Sequence, residues 1–111
     1  MIAATRGMRG GQVWIATNPV DMRKSFDGLA EVVRSFLGHD PLGGNVFVFR
    51  NRTSQRVKIL WWDTGGLTIY YKRLERGTFR FPASAERSVA IDGPQLLRLL
   101  DGLKIVARRA S

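Results

Sequence analysis

The residues with the most chemical potential lie between positions 57 and 81, VKILWWDTGGLTIYYKRLERGTFRF. This stretch sets two tryptophans and two tyrosines among two lysines and three arginines, with only Asp63 and Glu75 as counter-charges. Flat aromatic faces stack on nucleic-acid bases, worth about 1–3 kcal/mol each, while neighbouring cations hold the phosphates. Catalysis has far less to draw on, because the chain carries one histidine, no cysteine and nine carboxylates. His39 has no second ligand at metal-binding spacing. Asp21, Asp27, Asp63 and Asp92 could in principle converge as a two-metal cluster, yet each has a local explanation as a cap, a helix-surface residue or a turn residue. The glycine pairs at 10–11, 43–44 and 65–66 read as turns, since none leads into the Lys-Ser or Lys-Thr of a phosphate-binding loop. The expectation is a non-enzyme without cofactor, metal or small-molecule substrate.

Charge gives the partner class. The 111 residues hold 18 Lys and Arg against 9 Asp and Glu, a net charge of +9, and such an excess attracts polyanions, of which nucleic acid is the commonest in a cytoplasm. The excess is local: Arg50, Arg52, Arg56, Lys58, Lys72, Arg73, Arg76 and Arg80 face only Asp63 and Glu75 between positions 50 and 80. These eight cations, with Trp62 and Tyr70, are the candidate nucleic-acid-binding residues, and DNA is the expected ligand. The absence of cysteine suits a reducing compartment, here the cytoplasm. The longest apolar run, Ile59 to Trp62, is far short of the roughly 18 residues of a membrane span, and no signal peptide is evident.

The elements that must position these groups follow from periodicity. Residues 1–11 read as a flexible basic leader, 12–103 as one α+β domain and 104–111 as a basic tail with Lys104, Arg108 and Arg109. Gln12 to Ala16 reads as a strand. A long helix should follow, with Asn18 as N-cap, Pro19 in the first turn and Asp21 facing the free amides; Met22, Phe26, Leu29, Val33, Phe36 and Leu37 supply its apolar stripe, and Gly38 stops it. Strands are expected at Asn45–Arg50, Arg56–Asp63 and Leu67–Leu74, with short edge strands at Phe79–Phe81 and Ser88–Ile91, and a short C-terminal helix opening at Gly93 and Pro94. Val46 and Val48 alternate with Phe47 and Phe49, so that strand is apolar on both faces and should lie centrally. The hairpin connections point to an antiparallel sheet of four to six strands, with the helices on one face.

The hairpin register decides what the aromatic stretch presents. A three-residue loop of Thr64, Gly65 and Gly66 would set Asp63 opposite Leu67. One face would then carry Lys58, Leu60, Trp62, Thr68, Tyr70 and Lys72, with Lys58 opposite Lys72, an arrangement a bound phosphate would relieve. Two readings of Trp62 and Tyr70 stay open: stacking partners for bases, or packing beneath a helix with the lysines reaching to solvent. A turn made of Gly65 and Gly66 alone would shift the pairing and undo the face assignment. The arginines survive either register, because they flank turns that must meet water.

Three strings then carry a family likeness: PVDMRKSFDGLA (19–30), VFVFRNR (46–52) and KILWWDTGGLTIYYKRLERGTF (58–79), followed by Pro82. Over residues 12–103 the chain resembles the accessory proteins, often called TnpB, encoded by the second open reading frame of insertion sequence 66 elements, which are distinct from the RNA-guided nuclease of the same name. Ser25 stands where that pattern leads one to expect glycine. The resemblance implies a bacterial or plasmid origin and a role in transposition beside a separate, larger transposase that carries the catalytic carboxylates. It supplies no binding residues. An adaptor that assembles the transposase complex without touching DNA is the alternative reading.

Overall fold

The structure is a computed structural model and describes residues 11–105. The expected leader (1–11, save Gly11) and most of the basic tail, including Arg108 and Arg109, lie outside the described residues. The elements run β1 (Val13–Ala16), α1 (Phe26–Glu31) continuing into a π-helical segment (Val32–Leu37), β2 (Val46–Arg50), β3 (Arg56–Asp63), β4 (Gly66–Arg73), β5 (Ser88–Ile91) and α2 (Gly93–Leu100). The α+β class stands as expected.

The five strands form one sheet in the order β4-β3-β2-β1-β5. β2, β3 and β4 are antiparallel neighbours, and β5 runs antiparallel to β1. β1 and β2, however, are parallel, Val13 lying beside Val46 and Ile15 beside Val48, so the sheet is mixed and not purely antiparallel. The helical crossover between them is what parallel neighbours require.

The expected placement of both helices on one face is also corrected. Leu29, Ala30 and Val33 pack on Ala16, Phe47, Phe49 and Leu60, while Leu96, Leu99 and Leu100 pack with Val13, Ile15, Val46, Val48, Val57, Ile59 and Trp61 on the other side. Three layers result, with the sheet between α1 and α2. The four fully buried residues Val46 to Phe49 of central β2 supply both cores, as its two-sided apolar pattern demands.

The first helix begins later than its sequence suggests. Residues 18–25 are irregular, held by tertiary bonds that compete with a helical ladder: Val20 N–H donates to Arg50 O at 2.9 Å, and Lys58 Nζ donates to the carbonyls of Met22 and Lys24, both at 2.8 Å. Asp21 accepts from Arg23 N–H at 2.9 Å and ion-pairs with its guanidinium at 2.7 Å, closing a local turn in place of the cap. The helix is therefore not long. Its end is as expected, since Gly38 takes φ 75°, a left-handed conformation that costs glycine little. α2 starts at its expected place, with Asp92 accepting from Gln95 N–H at 2.8 Å and Pro94 in the first turn.

Phe79–Phe81 forms no strand. Phe79 is buried in the core beneath α2, and its N–H donates to Ser54 O at 2.7 Å. Ile105, at the start of the expected tail, is buried in that same core. No helix among the described residues is long and apolar enough to cross a membrane.

Candidate nucleic-acid interface

The β3–β4 hairpin closes through a two-residue turn at Thr64 and Gly65, φ 25° and 82°, with Asp63 opposite Gly66. Consecutive positive φ values suit the right-handed twist of the strands. Both registers expected from the sequence are thus displaced. Lys58 lies opposite Tyr71, Trp62 opposite Leu67, Ile59 opposite Tyr70 and Val57 opposite Lys72. Because side chains alternate faces, Trp62 and Tyr70 point to opposite sides of the sheet, and so do Lys58 and Lys72. The expected joint patch of these four residues does not exist.

Each side then shows its own chemistry. On the α2 side, Tyr70 packs half-buried against the core, and Lys72 Nζ donates to Leu100 O at 2.6 Å, satisfying a carbonyl at the end of α2. On the α1 side, Lys58 is buried, its ammonium held by the carbonyls of Met22 and Lys24 and lying 4.7 Å from the Tyr71 ring centroid. Trp62 and Tyr71 remain exposed on this side, at 37% and 47%.

The arginines do gather. Leu74 N–H donates to Gln55 O at 2.9 Å and Phe79 N–H to Ser54 O at 2.7 Å, joining the segment after β4 to the β2–β3 turn at one end of the sheet. Asn51 shapes that turn by accepting from the N–H groups of Gln55 and Arg56 at 3.0 and 2.9 Å, and Ser54 takes φ 58°. Arg56 and Arg73 stand directly opposite each other across β3 and β4.

Their availability differs. Arg50 is half-buried and donates to Thr17 O at 2.9 Å and to Ser54 Oγ at 3.3 Å. Arg56 Nη1 donates to Tyr71 Oη at 3.0 Å. Arg73 pairs with Glu75 at 2.9 Å, an exposed bridge worth little in water. Arg52, Arg76 and Arg80 are exposed and have no hydrogen bond or ion pair among the described residues. Tyr71, which both orients Arg56 and covers Lys58, escaped the sequence reading because its role follows from a register that spacing alone left undecided.

Among the described residues, no three of His, Asp and Glu come close enough to hold a metal ion. The profile of the IS66 Orf2-like proteins matches residues 11–110. The chain belongs to the IS66 Orf2-like family. It is similar to "Uncharacterized protein y4hO" of Sinorhizobium fredii strain NGR234, 44% identical over 83% of this chain and 80% of that protein. It is also similar to "Uncharacterized protein y4jC" of the same strain, 36% identical over 93% of this chain and 86% of that protein. No solved structure shows a significant match. The IS66 Orf2-like membership ties this fold to an insertion-sequence element and to an accessory role in transposition.

Proposed function

We propose that this IS66 Orf2-like protein is a non-catalytic accessory factor that binds DNA, working beside the separate transposase of its element in the cytoplasm. One observation carries the reading: the backbone bonds Leu74 N–H to Gln55 O and Phe79 N–H to Ser54 O bring Arg50, Arg52, Arg56, Arg73, Arg76 and Arg80 to one end of the sheet, where Glu75 is the sole carboxylate of segments 50–56 and 73–80. A cluster of guanidinium groups with one counter-charge attracts a phosphate backbone. Lys58, Lys72 and Tyr70 support the fold beneath this surface, whereas Trp62 lies toward the other end of β3, beside the Thr64–Gly65 turn and outside the cluster.

Binding of duplex from the element's ends, followed by gel shift across a salt series, tests the reading. With about five phosphates neutralised, log affinity should fall with log salt at a slope near −4.5. Failure to bind at micromolar concentration in low salt would remove the proposal. The exposed pair Trp62 and Tyr71 favours a second reading, an adaptor surface for the transposase, since aromatic side chains are enriched where proteins meet. Co-purification with the transposase that survives nuclease treatment would support it.

A further inference from the structure

Beside the arginine cluster lies an open cleft of about 530 Å³ between Thr17, the β2–β3 turn and residues 78–84, a size in the range of small-ligand sites. Its lining includes Arg50, Arg80, Thr53, Thr78, Ser84 and the Phe81 ring, and contains no carboxylate. The groove beside α1, by contrast, includes Asp21, and the hollow beside Phe36 includes Glu86.

The donors in this cleft are organised. Arg50 is fixed by Thr17 O and Ser54 Oγ, lies 5.7 Å from the Phe81 ring centroid, and has a buried Nε without a hydrogen-bond partner. Its acceptors are neutral, so its charge is not cancelled. The hydroxyls are already used as acceptors: Ser54 Oγ from Arg50 at 3.3 Å, Thr53 Oγ1 from Asn51 at 3.2 Å and Ser84 Oγ from Glu86 N–H at 3.0 Å. Each therefore keeps its O–H proton to donate. Two guanidinium groups and a ring of hydroxyl donors, with no negative group, match a compact oxyanion.

We infer that this cleft seats a phosphomonoester, the terminal phosphate of a nucleic-acid strand. The inference rests on the DNA-binding reading and adds what the cleft recognises. Phosphodiesters along a duplex lie on a convex cylinder and suit the exposed Arg52 and Arg76 and the half-buried Arg56. A concave cleft instead admits a group that projects from a chain end, and a terminal phosphate carries up to one more negative charge than an internal one.

The test compares duplexes of one sequence ending in 5′-phosphate, 3′-phosphate or hydroxyl at both ends, together with an NMR titration of the protein with dAMP. A phosphorylated end should bind roughly tenfold more tightly than the hydroxyl-ended duplex, the worth of one charge-assisted hydrogen bond. Arg80→Gln, at an exposed site, should weaken all three duplexes by the loss of one cation of the cluster and, beyond that common loss, erase the difference between phosphorylated and hydroxyl ends. dAMP should shift the amide signals of residues 78–84 and those of the β2–β3 turn. Equal affinity for all three duplexes, with no dAMP shifts in these segments, would overturn the cleft assignment and leave duplex binding standing. Conversely, dAMP shifts confined to the cleft without binding of any duplex would retain the phosphate site and refute the broader DNA reading.

Discussion

Lys58 Nζ lies 4.7 Å from the ring centroid of Tyr71, its neighbour across β3 and β4, and donates at 2.8 Å to two carbonyls of the segment leading into α1. The ammonium thus ties the irregular stretch before the helix to the sheet. Lys58→Met keeps the buried stem and removes the donor, leaving the Met22 and Lys24 carbonyls without their partner. A loss of about 2 kcal/mol is expected, the scale of hydrogen bonds to a charged group, measured by urea unfolding. DNA affinity of the folded variant should stay close to wild type. Unchanged stability would show that the two carbonyls do not depend on this lysine.

Arg52 and Arg76 are exposed and unpaired among the described residues, so replacing either with alanine should leave the melting temperature unchanged. Each removed phosphate contact should lower the magnitude of the salt slope by about 0.9. Slopes that match wild type in both variants would move the phosphate contacts elsewhere on the protein.

The hairpin turn makes a separate prediction. Gly65 sits at φ 82° with open space where a side chain would project, so Gly65→Ala meets no clash and is penalised by backbone conformation alone. The expected cost is about 1 kcal/mol. Thr64, at φ 25°, is a β-branched residue in a region it disfavours, and Thr64→Asn should be stabilising. Thermal melts of the two variants should move in opposite directions.

His39 packs 4.4 Å from the Trp14 ring centroid and 5.7 Å from that of Phe47, and burial holds its pKa below the ordinary histidine value of 6.5. The folded protein therefore binds fewer protons at this site than the unfolded chain as pH falls through that value. Stability should be full above it and decline below. Asp21 adds no pH dependence in this window, because Arg23 lowers its pKa from 3.8 to about 2, so its stabilisation is full throughout and is lost only as pH falls below 3.8 toward about 2. Urea midpoints between pH 7.5 and 5.5 should fall for wild type and stay flatter in His39→Gln.

Local chemistry made several elements legible. The 56–63 strand, the 88–91 strand, the helix behind Asp92 and the stop at Gly38 each carry signals within a few residues of themselves. Central placement of β2 was also readable, since four consecutive apolar residues on both faces have nowhere else to go. The candidate site was half legible: arginines flanking two turns could be named from sequence, and the backbone bonds from Leu74 N–H to Gln55 O and from Phe79 N–H to Ser54 O place those turns side by side. Trp62, Tyr70, Lys58 and Lys72 could not be assigned, because a single step in register reverses which face a residue occupies.

By itself the sequence determined the α+β class, the strand-forming segments other than the expected Phe79–Phe81, the positive charge of positions 50–80 and the family likeness, all of which depend on composition and near-neighbour spacing. Tertiary structure alone decided the parallel pairing of β1 with β2, the helices on opposite faces, the late start of α1 and which cations stay free. Those features depend on partners distant in the chain: Lys58 is captured by carbonyls at 22 and 24, and Lys72 by the carbonyl at 100. A lysine's identity gives its charge, whereas the groups that surround it in three dimensions decide whether that charge meets a ligand or the protein's own backbone.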